Sequence, residues 1–391
     1  MIFAATFLML SLLNVSQLVK SNCGDGFCQI YALNLKKDAF ENLEFVGHVF
    51  HKASTVNPID CHALCVEDCR CLSFNYKESE PEGKFCELND ESQFTVNSSS
   101  LKTSAGSRYY NLRRELFKKQ NSVTSCVGGI PCTNGCCAGN PCQNGGTCTE
   151  VCNPKGLRYN CSCPVKFIGR HCEIRLRESC QAYKAAGAAT PGYYRIIDDH
   201  HHTIQVFCDF DASGPGFAWT LIQSFSLAKK HLFDTVGLNA YSDSEAVSGD
   251  SPNWQAYLIP SSDLMWLGRQ STHWRATCSF ETDGIMYTDY MRASFADNDI
   301  IGASQRKNVC RIYEFINIRG NECTNCTAST WYWPNVWQLH IDSSVQAGCD
   351  FNPKKSLSGE DNFGYYFVVN QQFRCTSSNQ TTTQLWFGGR N

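Results

Sequence analysis

Residues 61–88, CHALCVEDCRCLSFNYKESEPEGKFCEL, decide how the first part of the chain folds. Cys61 and Cys65 stand four residues apart, so both sulfur atoms lie on one face of a short helix that Asp60 could cap. We therefore expect a helix whose cysteines are bonded to neighbouring elements of the fold.

Two strand patterns follow this helix. Residues 71–76 alternate apolar and polar side chains, as a half-buried strand does, and residues 85–88 form a second strand with another cysteine. The pattern predicts a helix joined to a sheet by the Cys61–Cys86 and Cys65–Cys71 disulfides, each worth about 2–4 kcal/mol. Zinc is the rival use of four cysteines, and an oxidising compartment disfavours it.

Further residues of the first region carry a family pattern. They are Phe45-Val46-Gly47, the Cys61/Cys65 helix, the strand at residues 71–76, Cys86-Glu87-Leu88-Asn89 and Tyr109-Tyr110. Through them, residues 22–112 resemble a PAN/apple domain. The resemblance implies a small α+β module that binds protein or carbohydrate partners and has no catalytic residues. Cys23, Cys28 and Cys69 lie outside the family's four-cysteine pattern, so their pairing stays open.

The next region is dominated by sulfur. Ten of the 47 residues at 126–172 are cysteine, and a segment this short cannot be held by burial alone. Its spacing is Cys137-x4-Cys142-x5-Cys148-x12-Cys161-x-Cys163-x8-Cys172, with glycines that permit tight turns.

This spacing resembles an EGF-like domain, placed at residues 136–173. The resemblance implies a β-hairpin module with disulfides Cys137–Cys148, Cys142–Cys161 and Cys163–Cys172. Four more cysteines, at positions 126, 132, 136 and 152, lie outside the pattern. Calcium is not expected, because residues 133–136 before the first cysteine of the pattern offer no acidic ligand.

The third region, residues 178–391, contains all eight tryptophans and eight cysteines. Residues 192–196, 205–210 and 214–223 resemble the opening of a fibrinogen C-terminal-like domain, which implies the disulfide Cys180–Cys208. The family's calcium and N-acetyl-sugar pocket does not carry over, because its later motifs are missing. The remainder alternates turns with short aromatic strands, which predicts a mostly β or α+β domain with up to four disulfides. The expected strands lie at residues 274–278, 287–291, 331–333, 363–369 and 385–387.

Two further segments lie outside these modules, one before the first module and one between the first and the second. Ile2 to Leu13 is apolar but spans only about 18 Å as a helix, against about 30 Å for a bilayer core, so we expect a signal peptide at residues 1–21 and no transmembrane anchor. Residues 113–135 begin with a polar, basic run that predicts a solvated linker, with a heparin-binding patch as the alternative.

Composition limits the partners. A net charge of −3 and a pI near 6.4 exclude a basic nucleic-acid binder, and without aspartate runs the chain should not concentrate calcium by itself. Twenty-five cysteines indicate an oxidising, extracellular compartment. Because the number is odd, at least one sulfur lacks a partner within the chain, which predicts a free thiol or an interchain disulfide.

Two clusters of side chains have the composition of a metal site or a redox site. Residues 198–202, Asp-Asp-His-His-His, could bind zinc or copper, but consecutive side chains of an extended segment point to opposite faces, so we expect a polar turn. Residues 323–326, Cys-Thr-Asn-Cys, have redox spacing and are expected to form disulfides instead. No catalytic motif is present, and we expect no catalytic residue, cofactor or metal. Glycosylation sequons stand at Asn97, Asn160, Asn325 and Asn379.

These observations predict a secreted, disulfide-rich, multi-domain protein. As a whole, the chain resembles cnidarian secreted multi-module proteins, and most closely the skeletal organic matrix proteins of stony corals. That resemblance implies an extracellular matrix or adhesion glycoprotein with a link to biomineralisation, which binds matrix proteins or glycans through its outer modules on either side of an EGF-like spacer. The alternatives are a soluble lectin or immune-recognition protein and, third, a secreted enzyme.

Overall fold

The computed structural model divides the chain into two compact units, Met1–Arg175 and Leu176–Asn391. The predicted signal peptide lies outside the described residues, except that residues 17–21 belong to the first strand. None of the described helices is long and apolar enough to cross a membrane. The structure describes residues 17–23, 27–79, 83–96, 98–118, 134–151, 153, 156–211, 216–233, 247–248, 251–301, 306–333, 337–342, 348–357, 359–364 and 366–390.

The described part of the first unit is made of short strands and one α-helix. In chain order these are β1 Gln17–Cys23, β2 Phe27–Asn34, β3 Ala39–Phe45, β4 Val49–Ser54, α1 Pro58–Glu67, β5 Ser73–Ser79, β6 Gly83–Asn89, β7 Leu101–Asn111, β8 Arg114–Lys118, β9 Thr147–Glu150, β10 Tyr159–Ser162, β11 Phe167–Ile168 and β12 Ile174–Arg175. A 3-10 turn, Ser98–Ser100, precedes β7.

A five-stranded antiparallel sheet, in the order β3-β7-β5-β6-β4, forms the centre of this unit together with α1. Asn57 begins the helix, because its side chain accepts hydrogen bonds from the backbone N–H groups of Ile59 and Asp60 at 2.8 and 3.2 Å. Asp60 lies inside the first turn and is not the cap. Cys61 and Cys65 are buried in the core that the helix shares with the sheet.

The strand predicted at residues 71–76 is β5, but its polar face is buried too. Asn75 is 1% exposed and fastens the end of β3, exchanging hydrogen bonds of 2.9 and 3.0 Å with the backbone of Phe45. Glu87 on β6 lies beside it and pairs with Lys52 at 2.7 Å and Lys77 at 3.0 Å. The half-buried interpretation was wrong because residues from other strands cover the polar side.

The basic segment at residues 113–135 was predicted to be a solvated linker, and its beginning is not. Residues 114–118 form β8, which pairs with β2 in the three-stranded sheet β1-β2-β8. Arg114 is only 5% exposed. Charge alone suggested solvent, but the backbone of this segment completes a sheet. Residues 119–133 lie outside the described part of the chain.

The predicted EGF-like region, residues 136–173, contains the hairpin β9-β10 and the first strand of a second hairpin, β11-β12, which ends at Arg175. Asn144 and Gly145 turn the chain before β9 with positive φ values of 51° and 80°, a conformation that favours these residue types. Gly146 packs so closely that a side chain there would meet the sulfur of Cys172 at 2.7 Å. The Asn-Gly-Gly run therefore permits both the turn and the close approach of the Cys172 sulfur.

The second unit is mostly β. Its elements are α2 Cys180–Ala185, β13 Gly192–Ile197, β14 Thr203–Phe210, β15 Ala218–Ser226, β16 Ala256–Leu258, α3 Ser261–Gln270, β17 His273–Cys278, α4 Phe280–Asp283, β18 Tyr290–Ser294, β19 Arg306–Ile318, β20 Asn321–Trp333, β21 Trp337–Asp342, β22 Asp361–Asn362 and β23 Thr382–Gly389, with 3-10 helices at Leu227–Leu232 and Arg374–Thr376.

One antiparallel sheet organises this unit, in the order β13-β14-β15-β23-β17-β18-β19-β20-β21-β22, with β16 on the edge of β15. The late strand β23 lies in the middle, between β15 and β17. The strand expected at residues 363–369 is not formed by its described residues, because Phe363 and Tyr366 have positive φ values of 62° and 56°. The other four predicted strands overlap β17, β18, β20 and β23.

A buried arginine lies in the core of the second unit. Arg275 is 0% exposed, and its Nη2 atom donates a 2.6 Å hydrogen bond to Asp209. Its guanidinium carbon lies 4.7 Å from the ring centres of both Trp219 and Trp386. Stacking on aromatic rings and a carboxylate partner together make a buried cation tolerable.

Candidate binding site

Disulfides cross-link both units within the described part of the chain. All six pairs that the sequence suggested are bonded in the structure: Cys61–Cys86, Cys65–Cys71, Cys137–Cys148, Cys142–Cys161, Cys163–Cys172 and Cys180–Cys208. Four more pairs occur, namely Cys69–Cys136, Cys278–Cys375, Cys310–Cys349 and Cys323–Cys326. All eight cysteines of the second unit are therefore paired.

The remaining five cysteines divide into two groups. Cys23 and Cys28 occupy facing positions in the β1-β2 ladder. Cys126, Cys132 and Cys152 lie outside the described residues.

The Cys69–Cys136 bond joins the five-stranded sheet region to the hairpin region, and Arg158 joins them again. Arg158 is 1% exposed and donates hydrogen bonds to the carbonyl oxygens of Val66, Cys65 and Cys71 at 2.9, 2.9 and 3.0 Å. It also donates to the carbonyl oxygen of Asp68. These carbonyls lie at and just beyond the C-terminal end of α1, where the helix leaves acceptors unsatisfied and its dipole favours a cation.

A second arginine links the same two regions, but here the donor lies on the sheet side and the acceptor on the hairpin side. Arg114 on β8 donates to the carbonyl oxygen of Gly156. Burial lowers the pKa of Arg114 to about 10 and also lowers the pKa of Arg158. The region at residues 136–173 is thus fixed to the sheet region by a disulfide and two buried cations, and the interpretation of it as a spacer that holds modules apart does not fit this packing.

A pocket opens beside the start of the edge strand β3, where the turn after β2, the loop after β6 and the end of β7 meet. Its volume is about 330 Å³, enough for a small ligand group. The lining residues are Lys37, Asp38, Phe40, Gln93, Phe94, Asn111, Leu112, Arg113 and Arg114.

The apolar part of the pocket includes exposed rings. Phe94 is 55% exposed and Phe40 is 36% exposed, although both are large hydrophobic side chains. Phe40 packs against buried Tyr109 with ring centres 5.7 Å apart. The Tyr109 hydroxyl donates to Asn111 at 2.6 Å and accepts the Gln93 backbone N–H at 3.1 Å. Tyr109 therefore holds together the end of β7 and the loop after β6, which both line the pocket.

The polar part of the pocket is positively charged on balance. Lys37 and Arg113 are exposed, and Asp38 is the acidic residue among the lining side chains. Asp38 accepts the Asn34 backbone N–H at 2.7 Å and lies 3.7 Å from Arg113, which fixes the turn. Exposed rings, two amides and cations together suit a ligand with an apolar face, hydroxyl groups and a negative charge.

The structure also places the other residues singled out by sequence. Residues 198–202 form the turn between β13 and β14. Asn160, Asn325 and Asn379 are exposed, as glycosylation requires, and Asn97 lies outside the described residues. Cys161 and Cys326, the middle residues of two sequons, are both bonded. The pocket was missed by sequence reasoning, because its walls come from three separate loops.

Comparison with known proteins identifies one module. A family model of the PAN domain matches residues 36–114, so the chain contains a PAN domain there, as its resemblance predicted. No curated protein matches the chain. The match includes all the pocket-lining residues and all of β3 to β7. The PAN domain and the many disulfides together indicate an extracellular protein compatible with adhesion or binding.

Proposed function

We propose that this protein is a secreted adhesion glycoprotein that binds an acidic glycan of the extracellular matrix through the pocket of its PAN domain. The observation that carries the proposal is the pair of exposed rings, Phe40 and Phe94, beside the exposed cations Lys37 and Arg113. Ring faces pack against the C–H groups of a sugar, and the cations pair with its carboxylate or sulfate.

The finer parts of the proposal rest on resemblance. Residues 136–173 act as an EGF-like module and residues 178–391 as a divergent fibrinogen-like domain, in a component of a skeletal organic matrix. The module acts by binding and not by catalysis. The odd cysteine number supports a link between chains, and comparing gel migration with and without reductant tests it. A single monomeric band under both conditions contradicts the interchain bond.

The binding test uses the full, disulfide-intact chain and immobilised heparin and chondroitin sulfate, with neutral dextran as a reference. The Phe94→Ala variant should bind the acidic polysaccharides at least about tenfold more weakly, because the apolar contact is lost. Phe367 in the second unit is 59% exposed, and Phe367→Ala is the matched control that should bind normally.

Charge substitutions distinguish binding in the pocket from general electrostatic attraction to the protein surface. Lys37→Gln should weaken binding and reduce its salt dependence, whereas Lys36→Gln, an exposed neighbour outside the lining, should change binding far less. Equal effects of the two variants, or equal binding to dextran, would contradict the proposal. One saturable, competable sugar class on a glycan array that is not an acidic matrix polysaccharide would favour the alternative of a soluble lectin or immune-recognition protein.

A further inference from the structure

The turn between β13 and β14 is folded more tightly than its sequence indicates. The Oδ1 atom of Asp198 accepts the backbone N–H groups of His200 and His202 at 2.9 and 2.7 Å. The backbone N–H of Asp198 donates in turn to the carbonyl oxygen of His202 at 3.0 Å. The segment is therefore a closed loop and not extended, and its first and last side chains can face the same way.

A third metal-binding side chain comes from another element. Asp263 lies in the first turn of α3 and is 2% exposed. Its Oδ1 atom is 3.7 Å from Nδ1 of His202. One donor atom from each of Asp198, His202 and Asp263 lies within 4.8 Å of the others. Within the described residues, these three form a cluster of metal-ligating groups that the sequence could not show, because α3 is distant along the chain.

The donor set selects the kind of ion. One imidazole nitrogen and two carboxylate oxygens suit zinc, which binds such groups at about 2.0–2.2 Å and accepts three protein ligands with water as the fourth. Two carboxylates also balance the charge of a divalent cation. Calcium prefers six to eight oxygen ligands, and this cluster offers too few.

We propose that Asp198, His202 and Asp263 bind a zinc ion that fastens the β13-β14 turn to the start of α3. The imidazole of His202 is exposed, so it is free of tight packing and can turn toward the two carboxylates. His200 and His201 lie on the same turn and are exposed, but neither belongs to the cluster.

The test is calorimetric titration of zinc chloride into the full, disulfide-intact chain. We expect one zinc ion per chain, and His202→Ala and Asp263→Asn should each weaken the affinity by at least about tenfold. The control is the double variant His200→Ala with His201→Ala, which should bind as the parent does. Zinc should also raise the unfolding temperature of the parent and of this control.

Two outcomes would overturn the proposal. The first is loss of binding in the double control with normal binding by Asp263→Asn, which would show attachment to the exposed histidines alone. The second is no saturable binding at millimolar zinc. Asp263 is buried, so near-ultraviolet circular dichroism must first show that its variant is folded. The exposed His202→Ala variant decides the question if that variant is not folded.

Discussion

Arg158 of the first unit and Arg275 of the second unit are both almost fully buried, and they are held in different ways. Arg158 of the first unit is bound by backbone carbonyls beyond the end of α1. Arg275 of the second unit is stacked between two tryptophans and paired with a carboxylate. The first unit has a small core and many disulfides, whereas the second has a large aromatic core. Where little apolar surface can be buried, covalent and polar links replace it.

Reduction of the disulfides should produce the largest difference in stability between the two units. The first unit should lose its fold, because its small core depends on cross-links that are individually worth about 2–5 kcal/mol. The second unit should be weakened but stay folded at moderate temperature. All eight tryptophans lie between Trp219 and Trp386, so tryptophan fluorescence reports on the second unit alone.

The measurement combines this fluorescence with limited proteolysis after treatment with dithiothreitol. Early cleavage should fall within residues 22–175 while the fluorescence stays native. Simultaneous loss of both signals would contradict the comparison.

Replacing Arg275 should have the next largest effect. Arg275→Met leaves Asp209, which is 5% exposed, without its cation, and we expect a loss of about 3–5 kcal/mol in the free energy of unfolding. Urea denaturation followed by tryptophan fluorescence measures it. The exposed Arg269→Met variant is the control. A loss no larger than that of the control would show that the stack of rings carries the stability without the charge.

Replacing Arg158 should have a smaller effect, confined to the first unit. Arg158→Met leaves several carbonyl oxygens buried without a donor, at a cost of about 1–3 kcal/mol. Faster hydrogen exchange at residues 65–71 should reveal it, while the exposed Arg175→Met variant should exchange as the parent does. Unchanged exchange in Arg158→Met would mean that the Cys69–Cys136 bond holds the two regions without help.

The smallest expected effect is a loss of stability at low pH. Burial raises the pKa of Glu87, but hydrogen bonds from Lys52, Lys77 and Asn75 lower it by more, so the pKa lies below its usual value of 4.5. The stabilisation by Glu87 is therefore complete above about pH 4.5 and is lost as the pH falls through the lowered value in the folded state.

Glu87→Gln should remove part of this acid sensitivity and cost about 1–2 kcal/mol at neutral pH. Hydrogen exchange of residues 73–89 between neutral pH and pH 3 measures it, with exposed Glu41→Gln as the control. An acid response in Glu87→Gln equal to that of the parent would assign the response to other groups.

Local patterns were readable in the sequence, and contacts between distant segments were not. The four-residue spacing of Cys61 and Cys65 and the alternation after Cys71 are local, and the helix and strand occur where these patterns predicted them. The bond between Cys69 and Cys136 joins different modules, and no spacing rule reaches that far.

The same limit explains the sites. The pocket depends on three loops that meet only after the sheet has formed, and the turn at residues 198–202 gains Asp263 from a distant helix. Arg114 was taken as solvated because charge is visible in a sequence, whereas the pairing of β8 with β2 is not.

The position of β23 has a consequence for biosynthesis. Until residues 382–389 have emerged from the ribosome, β15 and β17 face an empty space in the middle of the sheet. A nascent or prematurely terminated chain that stops after β17 therefore exposes two unpaired strand edges. Such a chain would be a strong substrate for chaperones until β23 is available to pair with both strands.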